Sequence, residues 1–187
     1  MLLLLLVLLP LGILLVSCSP ASPSKAGETY RNDAGKFAID YTSSLAVREY
    51  PTTKDGAGFG PVGMAADPAN EVMAISFLDY PSADTPIVRS SFEGKGTVFS
   101  EYVKTIATKM IESFIALQSI KSVPSTAGGT CYETTWQQRQ LPGVEIRESL
   151  PIVYCYADAS HVIQFSLEKK EFLSVFEEMA RSIRVVK

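Results

Sequence analysis

From Lys36 to Tyr41 the chain alternates apolar and polar side chains, the two-residue period of a strand with one face in a core. Leu45–Tyr50 predicts a second strand, closed by Pro51. The segment 52–61 carries three glycines and Pro61 and is expected to form a mobile loop around Phe59. Val62–Ala66 and Glu71–Tyr80 read as a hairpin that turns through Asp67-Pro68-Ala69-Asn70, and Pro81–Gly96 as a second irregular connection carrying Phe92. Beyond it the period changes. Phe99, Tyr102, Val103, Ile106, Met110, Phe114 and Leu117 fall at helical spacing, with Thr97 able to cap the start and Glu101 in the first turn. Pro124 and Gly128-Gly129 end that helix. Thr130–Gln140, Val144–Ala157 and His161–Leu167 then predict strands, Glu168–Arg181 a second helix, and Ile183–Val186 a short closing strand. Strands, helix, strands, helix and strand around one core predict an α+β sandwich.

The N-terminus follows neither period. Of Met1–Val16, 14 residues are apolar, and a helix of that length spans about 24 Å, short of the ~30 Å hydrocarbon core. The segment is therefore read as a targeting element, signal peptide 1–17. Leu15-Val16-Ser17-Cys18 resembles the bacterial lipobox, which implies cleavage before Cys18, a thioether lipid on its sulfur and an acylated new N-terminus. The cationic residues that usually precede such a segment are missing, since Leu2 follows Met1 directly. A plain cleaved signal peptide or an uncleaved anchor is the simpler alternative. Ser19 at the following position favours the outer membrane facing the periplasm if the source is Gram-negative. Residues 18–28 form a lipidated cysteine with a Pro/Ser tether, and 29–187 a single folded domain.

Composition narrows the function by exclusion. With 17 basic and 20 acidic residues the net charge is −3, so no polycationic surface exists to hold nucleic acid. One histidine and three cysteines exclude most multi-ligand metal sites, and no cofactor motif is present. Gly94-Lys-Gly-Thr97 lacks phosphate-loop spacing and reads as the approach to a capped helix. Cys155 precedes His161 by six residues, but a nucleophile needs its base within hydrogen-bond reach and a third group to orient it, and neither is evident. No catalytic constellation is legible. His161 reads as an ordinary strand-edge residue after the turn Asp158-Ala-Ser160.

Once Cys18 is lipidated, Cys131 and Cys155 remain, and an exported protein meets an oxidising compartment. A hairpin turning at Leu141–Val144 has to match its apolar faces, which requires paired residue numbers with an even sum. A sum of 286 sets Cys131 opposite Cys155, Tyr132 opposite Tyr154 and Trp136 opposite Leu150. A sum of 284 pairs Arg139 with Glu145 and leaves the cysteines on a diagonal about 7–8 Å apart, as two free thiols. The glycine-rich loop with Phe59 and the loop with Phe92 are candidate partner contacts, the plainer alternative being that both rings are tucked onto the core.

The element order resembles the PsbP/DcrB-like superfamily over most of Tyr30–Lys187. An opening strand runs into Tyr41-Thr-Ser-Ser-Leu45, where that family usually shows Tyr-Pro-Ser-Ser-Trp, so Thr42 and Leu45 depart from the pattern. A long helix lies mid-chain, Gly128 or Gly129 opens a long hairpin, and the terminal helix runs into Arg181-Ser-Ile-Arg184. The resemblance implies an antiparallel β-sheet sandwiched between helices. It also implies a protein that binds other proteins or serves as an accessory factor rather than an enzyme. The sequence thus leads to an extracytoplasmic lipoprotein, held to a bacterial membrane through Cys18, with an envelope protein or assembly as its partner. A small-ligand binder using a pocket between sheet and helix is the alternative, and an enzyme with an unrecognised site stands third.

Overall fold

The computed structural model describes residues 27–34, 36–51, 55–79, 114–124, 130–138 and 150–186. Ten strands run as β1 (Glu28–Asn32), β2 (Phe37–Tyr41), β3 (Leu45–Glu49), β4 (Gly56–Pro61), β5 (Met73–Asp79), β6 (Phe114–Val123), β7 (Cys131–Gln138), β8 (Ile152–Tyr156), β9 (His161–Leu167) and β10 (Arg184–Val185). One α-helix, α1 (Leu173–Ala180), and two 3-10 turns, Pro68–Asn70 and Lys170–Phe172, complete the described elements.

The strands form two sheets. A small one has the order β1-β2-β10, and a seven-stranded one the order β3-β4-β5-β9-β8-β7-β6, with every pairing antiparallel. The period-two rule decides which side chains meet. Val47 opposes Phe59, Phe59 opposes Met73 and Met73 opposes Leu167; on the next row of that face Ala57, Ile75, Phe165 and Val153 follow one another. Phe59, Met73, Ile75, Phe165 and Val153 have no exposed surface. Tyr30, Phe37 and Ile39 of the small sheet and Phe176 and Met179 of α1 close the same core.

The Phe165 and Phe176 rings stack at 4.6 Å, and Phe59 lies between the sheets, 6.2 Å from Tyr30 and 5.6 Å from Tyr41 by ring centroid. Burial of each such ring contributes about 1.5–3 kcal/mol, before the smaller gain from edge-to-face geometry.

α1 forms because Phe176, Met179 and Ala180 make a narrow buried stripe at helical spacing. It is shorter than Glu168–Arg181, because the Glu168 N–H bonds to the Val72 carbonyl at 2.9 Å and Lys170–Phe172 turns as a 3-10 segment. Ser182 Oγ donates to the Met179 carbonyl at 2.7 Å and accepts the Asp40 N–H at 2.8 Å. With the Arg184 guanidinium on Asp40 Oδ1 at 2.9 Å, this ties the end of α1 to β2.

Three expectations need correction. Gly56–Pro61 is a buried central strand rather than a loop. Its glycines alternate, so Ala57 and Phe59 enter the core. On the other face a Cβ at Gly60 would stand 3.0 Å from Ala65 Cα, and one at Gly58 would collide with the Glu71 carboxylate. Consequently the β5 hairpin begins at β4, and 62–66 is a succession of turns. Finally, Phe114–Leu117 belongs to β6 and not to a helix. The rest of the expected Thr97–Leu117 helix lies outside the described residues. The α+β character holds through α1, which covers one face of the large sheet; a sheet sandwiched between helices is not what the described residues display.

Candidate functional site

The β7–β8 ladder has the even sum of 286. Cys131 opposes Cys155, Tyr132 opposes Tyr154, and the ladder closes at Thr134 opposite Ile152, short of a Trp136–Leu150 pair. On its other edge β7 runs against β6, where Trp136 stands opposite Leu117. The Tyr156 N–H bonds to the Thr130 carbonyl at 2.9 Å, which makes the next pair inward a non-hydrogen-bonded one, the closer of the two antiparallel spacings. Cys131 and Cys155 occupy that position, 4.1 Å apart at Cα, and are joined by a disulfide. Both are 2% exposed. Cys155 is therefore a structural half-cystine and not a nucleophile.

On the face of the large sheet opposite α1, the row Arg48, Gly58, Ala74, Ser166 crosses β3, β4, β5 and β9. Glu71 lies across Gly58, where any side chain would displace it. Arg48 Nη2 donates to Glu71 Oε2 at 2.6 Å, the Tyr50 hydroxyl donates to Oε1 at 2.9 Å, and the Arg48 guanidinium sits 5.3 Å over the Tyr50 ring. Burial first, then the Glu71 charge and its hydrogen bond, push the Tyr50 hydroxyl well up, with Arg48 opposing. Both carboxylate oxygens are thus engaged by donors, so Glu71 orders the surface and is not poised as a base. Beside it, Ser166 Oγ donates to Glu168 Oε1 at 2.9 Å.

At the far end of β5 and β9, His161 is bracketed by two carboxylates. Nδ1 is 2.7 Å from Asp158 Oδ1, Nε2 is 3.2 Å from Asp79 Oδ1, and the ring stacks on Phe77 at 4.6 Å. Partial burial raises the Asp158 carboxyl, yet the Ser160 N–H and His161 outweigh it and hold that group below its usual range. His161 opens β9, as expected of a strand-edge residue. No group of three or more His, Cys, Asp or Glu side chains fit to hold a metal occurs among the described residues.

Phe59, a candidate partner contact whose plainer alternative was the core, is a core residue with no exposed surface. Phe92, the Gly94–Thr97 segment and Cys18 lie outside the described residues. The Arg48–Tyr50–Glu71 group escaped the sequence reading because β3 and Glu71 are brought together only by sheet pairing. The one local hint was the alternation of glycines at 56, 58 and 60, which marks a strand with something pressed against one face.

By sequence the chain matches no family model and no curated protein. By structure it is similar to the solution structure of cyanobacterial PsbP (CyanoP) from Synechocystis, at 12% identity and a TM-score of 0.53, covering 91% of this chain and 98% of that one. It is also similar to a crystal structure from Bacteroides thetaiotaomicron, at 12% identity and a TM-score of 0.45, covering 87% of this chain and 50% of that one. The fold is PsbP-like.

Proposed function

We propose that the protein is a lipid-anchored, extracytoplasmic accessory module that binds an envelope protein or assembly. The observation that carries this reading is the cysteine arithmetic. Of three cysteines, Cys131 and Cys155 are consumed in a buried disulfide, which belongs to an oxidising compartment, and Cys18 is left within its lipobox-like setting. The PsbP-like fold supports a binding role by analogy of fold alone. The test is capture of full-length lipidated protein from crosslinked membranes. One partner in near-stoichiometric amount is expected, and a background profile indistinguishable from an untagged control would overturn the reading.

A second reading, a small-ligand binder, has one observation behind it. Gln164 Oε1 is buried on the face opposite α1, in register between Ser76 and Tyr154, with no hydrogen-bond partner among the described residues. A buried carbonyl oxygen without a donor costs about 1–3 kcal/mol, which a ligand N–H or O–H would recover.

A further inference from the structure

Val62 and Met64 are 61% and 58% exposed, more than any other large apolar side chain among the described residues. They flank Gly63 on a tight turn. The Met64 N–H bonds to the Pro61 carbonyl at 2.9 Å, and Gly63 takes φ +84, the left-handed position that a type II turn reserves for glycine. The pedestal beneath is firm. The Val62 N–H bonds to the Ser44 carbonyl at 3.1 Å, the Met64 carbonyl accepts from the Asp67 N–H and from Asn70 Nδ2, and Ala65 is buried. A turn held in this way offers two apolar side chains to solvent with little freedom left to withdraw them.

The place of this turn gives it meaning. Gly27, where the described chain begins, packs against the Tyr41 carbonyl, and β1 starts opposite Tyr41. Three residues after Tyr41, Ser44 holds Val62. The tether therefore enters the domain at the end that carries the apolar turn. Residues 19–27, nine in number, separate Cys18 from β1, and so short a chain reaches at most about 32 Å. A lipid on Cys18 would hold this end of the domain, and not the opposite one, near the bilayer. Around the turn lie hydroxyls of Thr42, Ser43 and Ser44, with Glu28 bonded to the Tyr41 hydroxyl and Asp67 to the Ala69 N–H. Lys169 stands beside Asp67, its Nζ 3.4 Å from the Ala69 carbonyl, so opposite charges offset each other there and the turn itself offers apolar contact.

We propose that the Pro61–Met64 turn is a membrane-contact tip that seats Val62 and Met64 at the acyl–headgroup boundary and orients the tethered domain. The proposal rests on the lipid-anchored reading. Two side chains are too small a surface to recruit a free protein, but a tether supplies the effective concentration at which weak apolar contact suffices.

The test uses full-length lipidated protein in phosphatidylcholine vesicles. A fluorophore is placed at Met64→Cys, at Val62→Cys as a second variant, or at Ser43→Cys, an exposed site at the same end of the domain, beside the Ser44 that holds Val62. Flotation is read first, then quenching by nitroxide-labelled lipid. The expected result is flotation with quenching at Met64 and Val62 about threefold or more above that at Ser43, as apolar insertion requires. Flotation with equal quenching at the three sites rejects the tip and leaves the anchor standing. Failure to float rejects the anchor, and the tip with it.

Discussion

Replacing Cys131 and Cys155 together by alanine removes a link between residues 24 apart in sequence. In the chain-entropy description, closing a loop of that length lowers the entropy of the unfolded chain enough to stabilise the fold by about 3.5 kcal/mol at 25 °C. For a domain of this size that corresponds to a fall in melting temperature of roughly 7–14 °C. The two residues already oppose each other in the β7–β8 ladder, so the link asks for no change of register. Urea unfolding of the full chain in detergent, unreduced, chemically reduced and doubly substituted, measures the difference. Reduction leaves both sulfurs in place, so it isolates the link from the loss of buried sulfur atoms. The unlinked chain is also expected to unfold with a steeper urea dependence, because its denatured state expands further. A loss below about 1 kcal/mol on reduction, with an unchanged slope, would refute this reasoning. So would two reactive thiols in unreduced, denatured protein.

Phe59→Ala is expected to cost about 3–5 kcal/mol in urea unfolding, as for other buried rings; a cost under about 1 kcal/mol would return Phe59 to the surface. Gly58→Ala displaces the Glu71 carboxylate from Arg48 and Tyr50 and is expected to cost about 1–3 kcal/mol, while Glu71→Gln should bring the Tyr50 titration down, read as tyrosinate absorbance. Burial, first among the causes, raises the Tyr50 and Tyr154 hydroxyls and brings Tyr41 to about 12. The folded state then holds these protons more tightly than the unfolded one, so stability is fully present below pH ~10 and falls as pH rises toward 12. Urea midpoints that stay flat across that window would contradict the burial of these rings.

Where the sequence was legible, the reason is the two-residue period. Lys36–Tyr41, which alternates, and Leu45–Tyr50, closed by Pro51, become β2 and β3, and His161–Leu167 coincides with β9. The same period fixed the parity of the β7–β8 ladder. It left the choice between sums of 286 and 284 open, which the disulfide register decides. β4 was hidden because glycine supplies no hydrophobic signal. Its alternation at 56, 58 and 60 records the crowding of Glu71, Ala65 and the β5 backbone on one face. Phe114 and Leu117 extended a helical stripe by phase alone, whereas Ile115, Ile120 and Val123 carry the β-branched character that pairing in β6 favours. The Arg48–Tyr50–Glu71 group and the His161 bracket depend on strands that meet only in the folded sheet, so no local spacing announces them.

Anchor, compartment and fold all meet in the state of the three cysteines in the mature protein. Intact-mass and peptide spectrometry of protein taken from the membranes of a producing bacterium measures all of them at once. The expected chain starts at Cys18, carries a thioether-linked lipid there with an acylated amino group, and holds Cys131 and Cys155 as one disulfide. A mature chain that begins elsewhere, or an unmodified Cys18 thiol beside two free sulfhydryls, would contradict it.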